Sequence, residues 1–352
     1  MGTKKSKLSF KKKVGYTILT LVVFMFISAA LKIYEDVLAS NITLPENSKG
    51  YVYVGTRLTM DQNRKNWKES GLFRNLDAFV RVIKVLGFEG KIKPGRYEVK
   101  PSTSNYNLIR LMASGRQTPI DITFKYAERK DDLIKFWSGL LEADSNELSA
   151  LLNDASLFED IGIDTMNSIS IFIPNTYNLY WNTPAEDLLL RMKKEYQLFW
   201  NNERKTKAAA LNLTNQQVSI LASIVQKETY QKAEMPIVAG VYYNRLKKGM
   251  PFQADPTILY AINDKSIKRV AGAMLQIESP FNTYKYSGLI PGPICVPSVQ
   301  AIDAVLNLQK HNYVYFCAKE DFSGFHNFAS SFSQHQLNAR KYQRELNRRG
   351  IR

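Results

Sequence analysis

One stretch of this chain is too uniformly apolar for the surface of a soluble protein. Val14 to Leu31, VGYTILTLVVFMFISAAL, contains no charged residue. As a helix it reaches roughly 27 Å, close to the hydrocarbon thickness of a bilayer. Lys4, Lys5, Lys7, Lys11, Lys12 and Lys13 precede it with no acid among them, and Glu35 and Asp36 follow it. The positive-inside rule then keeps the N-terminus in the cytoplasm and exports the remainder. The expected order is a basic cytoplasmic tail over 1–13, a transmembrane anchor over 14–34 and a linker over 35–49. A removable signal peptide, cut after the small residues Ser28-Ala29-Ala30, is the competing reading, although a signal core is usually shorter than this run.

The formal net charge of +16 favours an anionic partner or surface. Nucleic acid, membrane lipid and an anionic cell-wall polymer all qualify on charge, and export argues against nucleic acid. With 19 Tyr and 18 Phe in a chain that is 45% hydrophobic, extensive disorder is excluded. Cys295 and Cys317 are too few for a disulfide scaffold, and their spacing is not that of a zinc site. His311, His326 and His335 lack the short helical spacing of zinc enzymes, so no metal or cofactor is expected.

From residue 50 to 117 the sequence reads strand, helix, helix, strand, helix. Tyr51-Val52-Tyr53-Val54 has strand composition, and Leu76, Phe79, Val80, Ile83 and Leu86 follow a helical spacing. Lys93-Pro94-Gly95 turns into a strand, and a further helix ends near Gly115. A larger mixed α+β region follows over 118–348, opening with the strand Ile120–Phe124.

Thr214 and Gln217 fit a capping box, which starts a helix predicted to run to about Lys232. Glu228 falls three residues after Val225 and seven after Leu221, on the apolar stripe. A carboxyl group held away from water resists ionisation, as a general acid for glycoside cleavage must. A Glu that bends out to solvent or pairs with a buried Arg fits the position equally well. Gln226 and Glu234 fall on other faces and read as solvated.

Downstream come Asn244-Arg245-Leu246, Gln253 with Asp255-Pro256-Thr257, Asn282-Thr283-Tyr284, and Gly288-Leu289 with Pro291-Gly292-Pro293-Ile294. Tyr313-Val314-Tyr315-Phe316 and His326-Asn327-Phe328 follow. Together with Leu221 to Thr229, this ordered set resembles the YceG-like endolytic murein transglycosylases from about residue 210 to 340. Many relatives have Glu where this chain has Gln226, which leaves Glu228 as the matching acid.

The resemblance implies a single transmembrane helix, a small LysM-like α+β subdomain over 50–117 and a YceG-like catalytic domain over 118–348. It implies cleavage within peptidoglycan glycan strands by Glu228, leaving 1,6-anhydro ends. Gln253, Asp255, Asn282, Tyr284 and His326 would contact the sugar. The implied location is the inner membrane, with cell-wall synthases (penicillin-binding proteins) as partners. Asp255 leaves a two-carboxylate muramidase open, since such an enzyme needs a second carboxylate near the acid. A non-catalytic, membrane-anchored scaffold is the remaining alternative.

Overall fold

The computed structural model describes residues 10–267 and 269–350. Most of the basic tail, including Lys4, Lys5 and Lys7, lies outside the described residues. The chain is mixed α+β and divides into two compact units. The first holds residues up to 120 together with 178–182, and the second holds 121–177 and everything from 183 onward.

In the first unit, α1 (Phe10–Ile33) is long and apolar enough to cross a membrane, and none of it is buried. A π-helical turn, Tyr34–Leu38, continues it. Strands β1 (Gly50–Val54) and β2 (Gly95–Val99) pair antiparallel, Gly50 opposite Val99 and Val54 opposite Gly95. Between them lie α2 (Met60–Glu69) and α3 (Leu76–Val85), and α4 (Asn105–Ser114) follows. This is the order read from the sequence. Val52, Trp67, Phe79, Ile83, Tyr97, Ile109 and Met112 share one core. The polar tips of its aromatics find acceptors, as buried N–H and O–H groups must. Trp67 Nε1 donates to Tyr53 O at 2.7 Å, and Tyr97 Oη donates to Lys93 O at 2.7 Å.

The stretch 35–49, expected as a linker, is instead built into this unit. Asn41 and Ile42 are buried, and Ile42 bridges Phe73 antiparallel. The reason is local: the Asn41 amide satisfies backbone groups at the start of α3, donating to Asn75 O at 2.8 Å and accepting from Asn75 N at 2.7 Å.

The second unit contains β3 (Ile120–Phe124) from its second residue, α5 (Lys130–Ser138), α6 (Ser145–Leu152) and the first three residues of β4 (Asn175–Leu179). There follow α7 (Ala185–Phe199), α8 (Asn202–Ala210), α9 (Asn215–Glu228), α10 (Met235–Lys247) and α11 (Asp255–Ile262). The chain closes with α12 (Val299–Leu306), a hairpin of β5 (Tyr315–Ala318) and β6 (His326–Ala329), and α13 (Phe332–Arg348). Within the β3–β4 pair, the hydroxyls of Thr123 and Thr176 meet at 2.9 Å.

Helix α9 is the axis of this unit. Val218 to Val225 are all buried, and α10, α11 and α12 pack around it. Ser223 fixes the depth of the loop before α12, because its Oγ accepts from Ile294 N at 3.0 Å. Gly240 lets α10 approach the 309–311 segment closely: a Cβ there would meet Gln309 O and His311 Nε2 at 2.6 Å. Asn244 locks the same contact by donating to His311 O at 2.7 Å and Tyr313 O at 3.0 Å.

Candidate active site

The start of α9 is the expected capping box, with Gln217 N donating to Thr214 Oγ1 at 3.2 Å and Thr214 N to Gln217 Oε1 at 2.9 Å. Its end differs from the expectation. The helix stops at Glu228, because Thr229 turns extended and its Oγ1 accepts from Gln231 N at 3.0 Å. Glu228 is therefore the last helical residue. The negative end of the helix dipole lies beside its carboxyl group and disfavours a second negative charge there.

The carboxyl group turns inward. Tyr242 on α10, itself fully buried, donates a hydrogen bond from its hydroxyl to Glu228. The Glu228 Oε2 atom is buried with no partner. Burial dominates and pushes the carboxyl pKa up to about 7. The Tyr242 hydrogen bond and the Arg245 charge pull it down, whereas the Asp255 charge pushes it up. A group poised there can give a proton and take one back near neutral pH.

Arg245 lies one turn beyond Tyr242 on the same face of α10. Its Nε donates to Val314 O at 2.6 Å, and its Nη1 donates to Pro251 O at 3.1 Å, Phe252 O at 2.7 Å and Gln253 Oε1 at 3.3 Å. One buried guanidinium thus ties α10 to the loop before α11 and to the start of β5. Arg245 stands in one of the sequence motifs and Tyr242 lies just before it, but neither was expected in the site. Their spacing of three on a helix whose face also carries Val238 and Val241 was the available signal.

Gln253 is exposed, with φ +52, and its backbone N–H donates to Thr283 O at 2.9 Å. Asp255 is the first residue of α11 and makes no cap of its own. The Tyr284 hydroxyl donates to Asp255 Oδ1, and burial and that carboxylate together hold the phenol above its ordinary pKa, so it stays protonated. Gln253, Asp255 and Tyr284 are thus brought to one loop pair.

Asn282 has a different place. It is fully buried, donating to Leu275 O at 3.0 Å and Ile277 O at 2.9 Å and accepting from Tyr284 N at 2.9 Å. Its amide is spent on the backbone, so Asn282 shapes the loop that presents Tyr284 and has no free group for a sugar. Thr283 completes the staple, accepting from Ala254 N at 3.0 Å.

His326 Nδ1 lies 2.8 Å from Glu234 Oε2, and His326 N donates to Glu234 Oε1 at 2.8 Å. Glu234 is therefore not solvated: it precedes α10 and turns inward to this imidazole. Gln226 is also engaged, accepting from Ser298 N at 2.5 Å at the start of α12. The Phe316 ring sits edge-on to both Tyr242, at 5.9 Å, and His326, at 5.3 Å, so the imidazole belongs to the same wall as the tyrosine. His335 stacks on Tyr315 at 5.3 Å; burial and the Arg245 charge hold its pKa down. Cys295 and Cys317 are separate thiols.

This geometry can be set against known proteins. A family model described as the YceG-like family matches residues 52–341. The chain belongs to the YceG-like family. The endolytic murein transglycosylase of Bacillus subtilis (strain 168) is 37% identical over 164 residues, 46% of this chain and 44% of that protein. The endolytic murein transglycosylase of Streptococcus pneumoniae (strain ATCC BAA-255 / R6) is 28% identical over 325 residues, 81% of this chain and 57% of that protein. The chain spans about half the length of these curated relatives. A crystal structure of a yceG-like protein from Listeria monocytogenes covers 82% of this chain and 98% of its own, with TM-score 0.55 and 22% identity, a likeness of fold.

Proposed function

We propose that this chain is an endolytic lytic transglycosylase of peptidoglycan and that Glu228 is its acid and base. The observation that carries the reading is the Glu228 carboxyl at the end of α9, raised by burial to a pKa of about 7 beside the Tyr242 hydroxyl, with Oε2 buried and without a partner. The names of the relatives supply the substrate. In the proposed reaction, Glu228 protonates the glycosidic oxygen as the bond from muramic C1 breaks. The C6 hydroxyl of the same ring then attacks C1, and its proton returns to Glu228. No water is consumed. Because the nucleophile belongs to the substrate, its proximity is built in.

Gln253, Asp255, Tyr284 and His326 are proposed to line the sugar path, with Asn282 acting through the loop it folds. In the same reading α1 is a single-pass anchor in the inner membrane, its N-terminus is cytoplasmic, and both units lie outside the cytoplasm near the synthases that extrude new glycan. The β–α–α–β order of the first unit supports a LysM-like module.

Mass spectrometry of digested glycan strands tests the reaction. Anhydro-muramic ends, one water lighter than reducing ends, are expected. Predominantly reducing ends would assign a two-carboxylate hydrolase instead, for which the influence of the Asp255 charge on Glu228 is the supporting observation.

A further inference from the structure

The segment after α1 runs beside α3 in a fixed sense. Ile42 bridges Phe73, and Asn41 bonds Asn75. Five residues back toward α1, Asp36 Oδ2 meets Arg81 Nη2 at 3.1 Å. Partner numbers rise from Phe73 through Asn75, the cap of α3, to Arg81 within it as the segment is followed back, so the two run antiparallel. The C-terminal end of α3 therefore points toward α1.

Asp36 also makes the join between α1 and this unit stiff. Its carboxylate takes Lys32 Nζ at 2.9 Å, and its carbonyl accepts from Asn105 Nδ2 at 2.7 Å. Helical geometry continues from α1 through Leu38 without a break. From Leu31, where the apolar run ends, to Asp36 is about 7 Å of helix, roughly the depth of a headgroup layer. Arg81 meets Asp36 at that height, and Val85 lies one helical turn further toward the hydrocarbon.

Val85 is 83% exposed, and its neighbour Leu86 is 38% exposed. Gly87 then turns the chain with φ +64, and Phe88 packs back against the core, leaving Val85 and Leu86 as an apolar tip. Lys84, which pairs with the exposed Glu89 at 3.7 Å, and Lys91 flank the tip, while Tyr34 and Leu38 expose apolar surface on the α1 side. Apolar side chains rimmed by lysine, at the level where an apolar span ends, have the chemistry of an interfacial lipid contact.

We propose that the tip Val85-Leu86 seats in the phospholipid headgroup layer of the bilayer that α1 spans, holding the first unit flush against the lipid. This rests on the reading of α1 as a membrane anchor. Spin labelling of the full chain in nanodiscs of phosphatidylethanolamine and phosphatidylglycerol tests it. The label is attached through Val85→Cys in a Cys317→Ser background, Cys295 being fully buried. The control is Lys65→Cys on α2, beside Arg64, which pairs with Asp77 at the opposite end of α3. The ratio of oxygen to nickel-chelate accessibility at 85 should exceed that at 65 by roughly threefold or more. Equal ratios in a chain that co-purifies with the nanodiscs would overturn the docking alone. A chain that fails to insert would overturn the anchor reading and the docking with it.

Discussion

The Tyr242 hydroxyl on α10 meets the Glu228 carboxyl and draws its pKa down, against the burial that pushes it up. The pairing stabilises the ionised carboxyl and so opposes the larger effect of burial. Tyr242→Phe removes that opposition. The pKa of Glu228 should then rise above about 7, by roughly one unit for a hydrogen bond of ordinary strength, and the alkaline limb of kcat/KM should move up with it. An unmoved limb would mean that Tyr242 supports only packing.

Glu228→Gln should cut glycan cleavage by about 10³-fold or more, because both proton transfers are lost. It should also stabilise the fold, in a pH-dependent way. The folded pKa of Glu228 is raised to about 7 from an ordinary 4.5. Below pH 4.5 the group is protonated folded or unfolded and costs nothing. As pH rises to 7, the unfolded chain ionises and the folded chain resists, so native stability drains away. The full cost above pH 7 is roughly 3 kcal/mol. Thermal unfolding of both proteins at pH 4.5 and pH 8 checks this: the Tm advantage of the variant should be larger at pH 8. An advantage independent of pH would remove the titration of Glu228 as its source.

Arg245 serves four acceptors from two separate segments, 251–253 and Val314. Arg245→Ala leaves the carbonyls of Val314, Pro251 and Phe252 without this donor in the interior, at a cost of about 3 kcal/mol. Urea unfolding should show a lower midpoint. Arg245→Lys should rescue little, because a single ammonium cannot reach acceptors spread across a planar fork. Recovery of the midpoint with Lys would show that charge, not geometry, is what Arg245 supplies.

How far the sequence reached is clearest along α9. Its start was legible because a capping box is a local pattern, and its inward face because helical spacing is fixed. Its end was not. Thr229 leaves the helix because its hydroxyl caps a turn with Gln231, a choice that a helical pattern up to Lys232 does not reveal. Glu234 and Asn282 failed for a related reason. An acid or an amide in a loop has the same letter whether it faces solvent, sugar or backbone, and only the fold brings His326 to Glu234 and the carbonyls of Leu275 and Ile277 to Asn282. Tyr242 and Arg245 were missed as partners of Glu228 because they come from the next helix. The segment 35–49 read as polar linker, yet Asn41 buries its amide against the backbone of α3.

Asp255 decides between one carboxylate and two. It sits at the first residue of α11, receives the Tyr284 hydroxyl, and its charge raises the pKa of Glu228. If Glu228 works alone, Asp255→Asn removes only that electrostatic push. The amide oxygen introduced by this change can still accept from Tyr284, so the loop should keep its shape. The pKa of Glu228 should then fall below about 7, the alkaline limb should move to lower pH, and activity on the acid side should change by less than about tenfold. The products should keep their anhydro ends. A nucleophile or a base for water would behave otherwise: its loss costs about 10³-fold or more at every pH, since no other group can take its place. The pH–rate profile and the product masses of this one variant therefore separate the two chemistries, and a loss of that size would transfer half of the proposed mechanism from the substrate's own hydroxyl to Asp255.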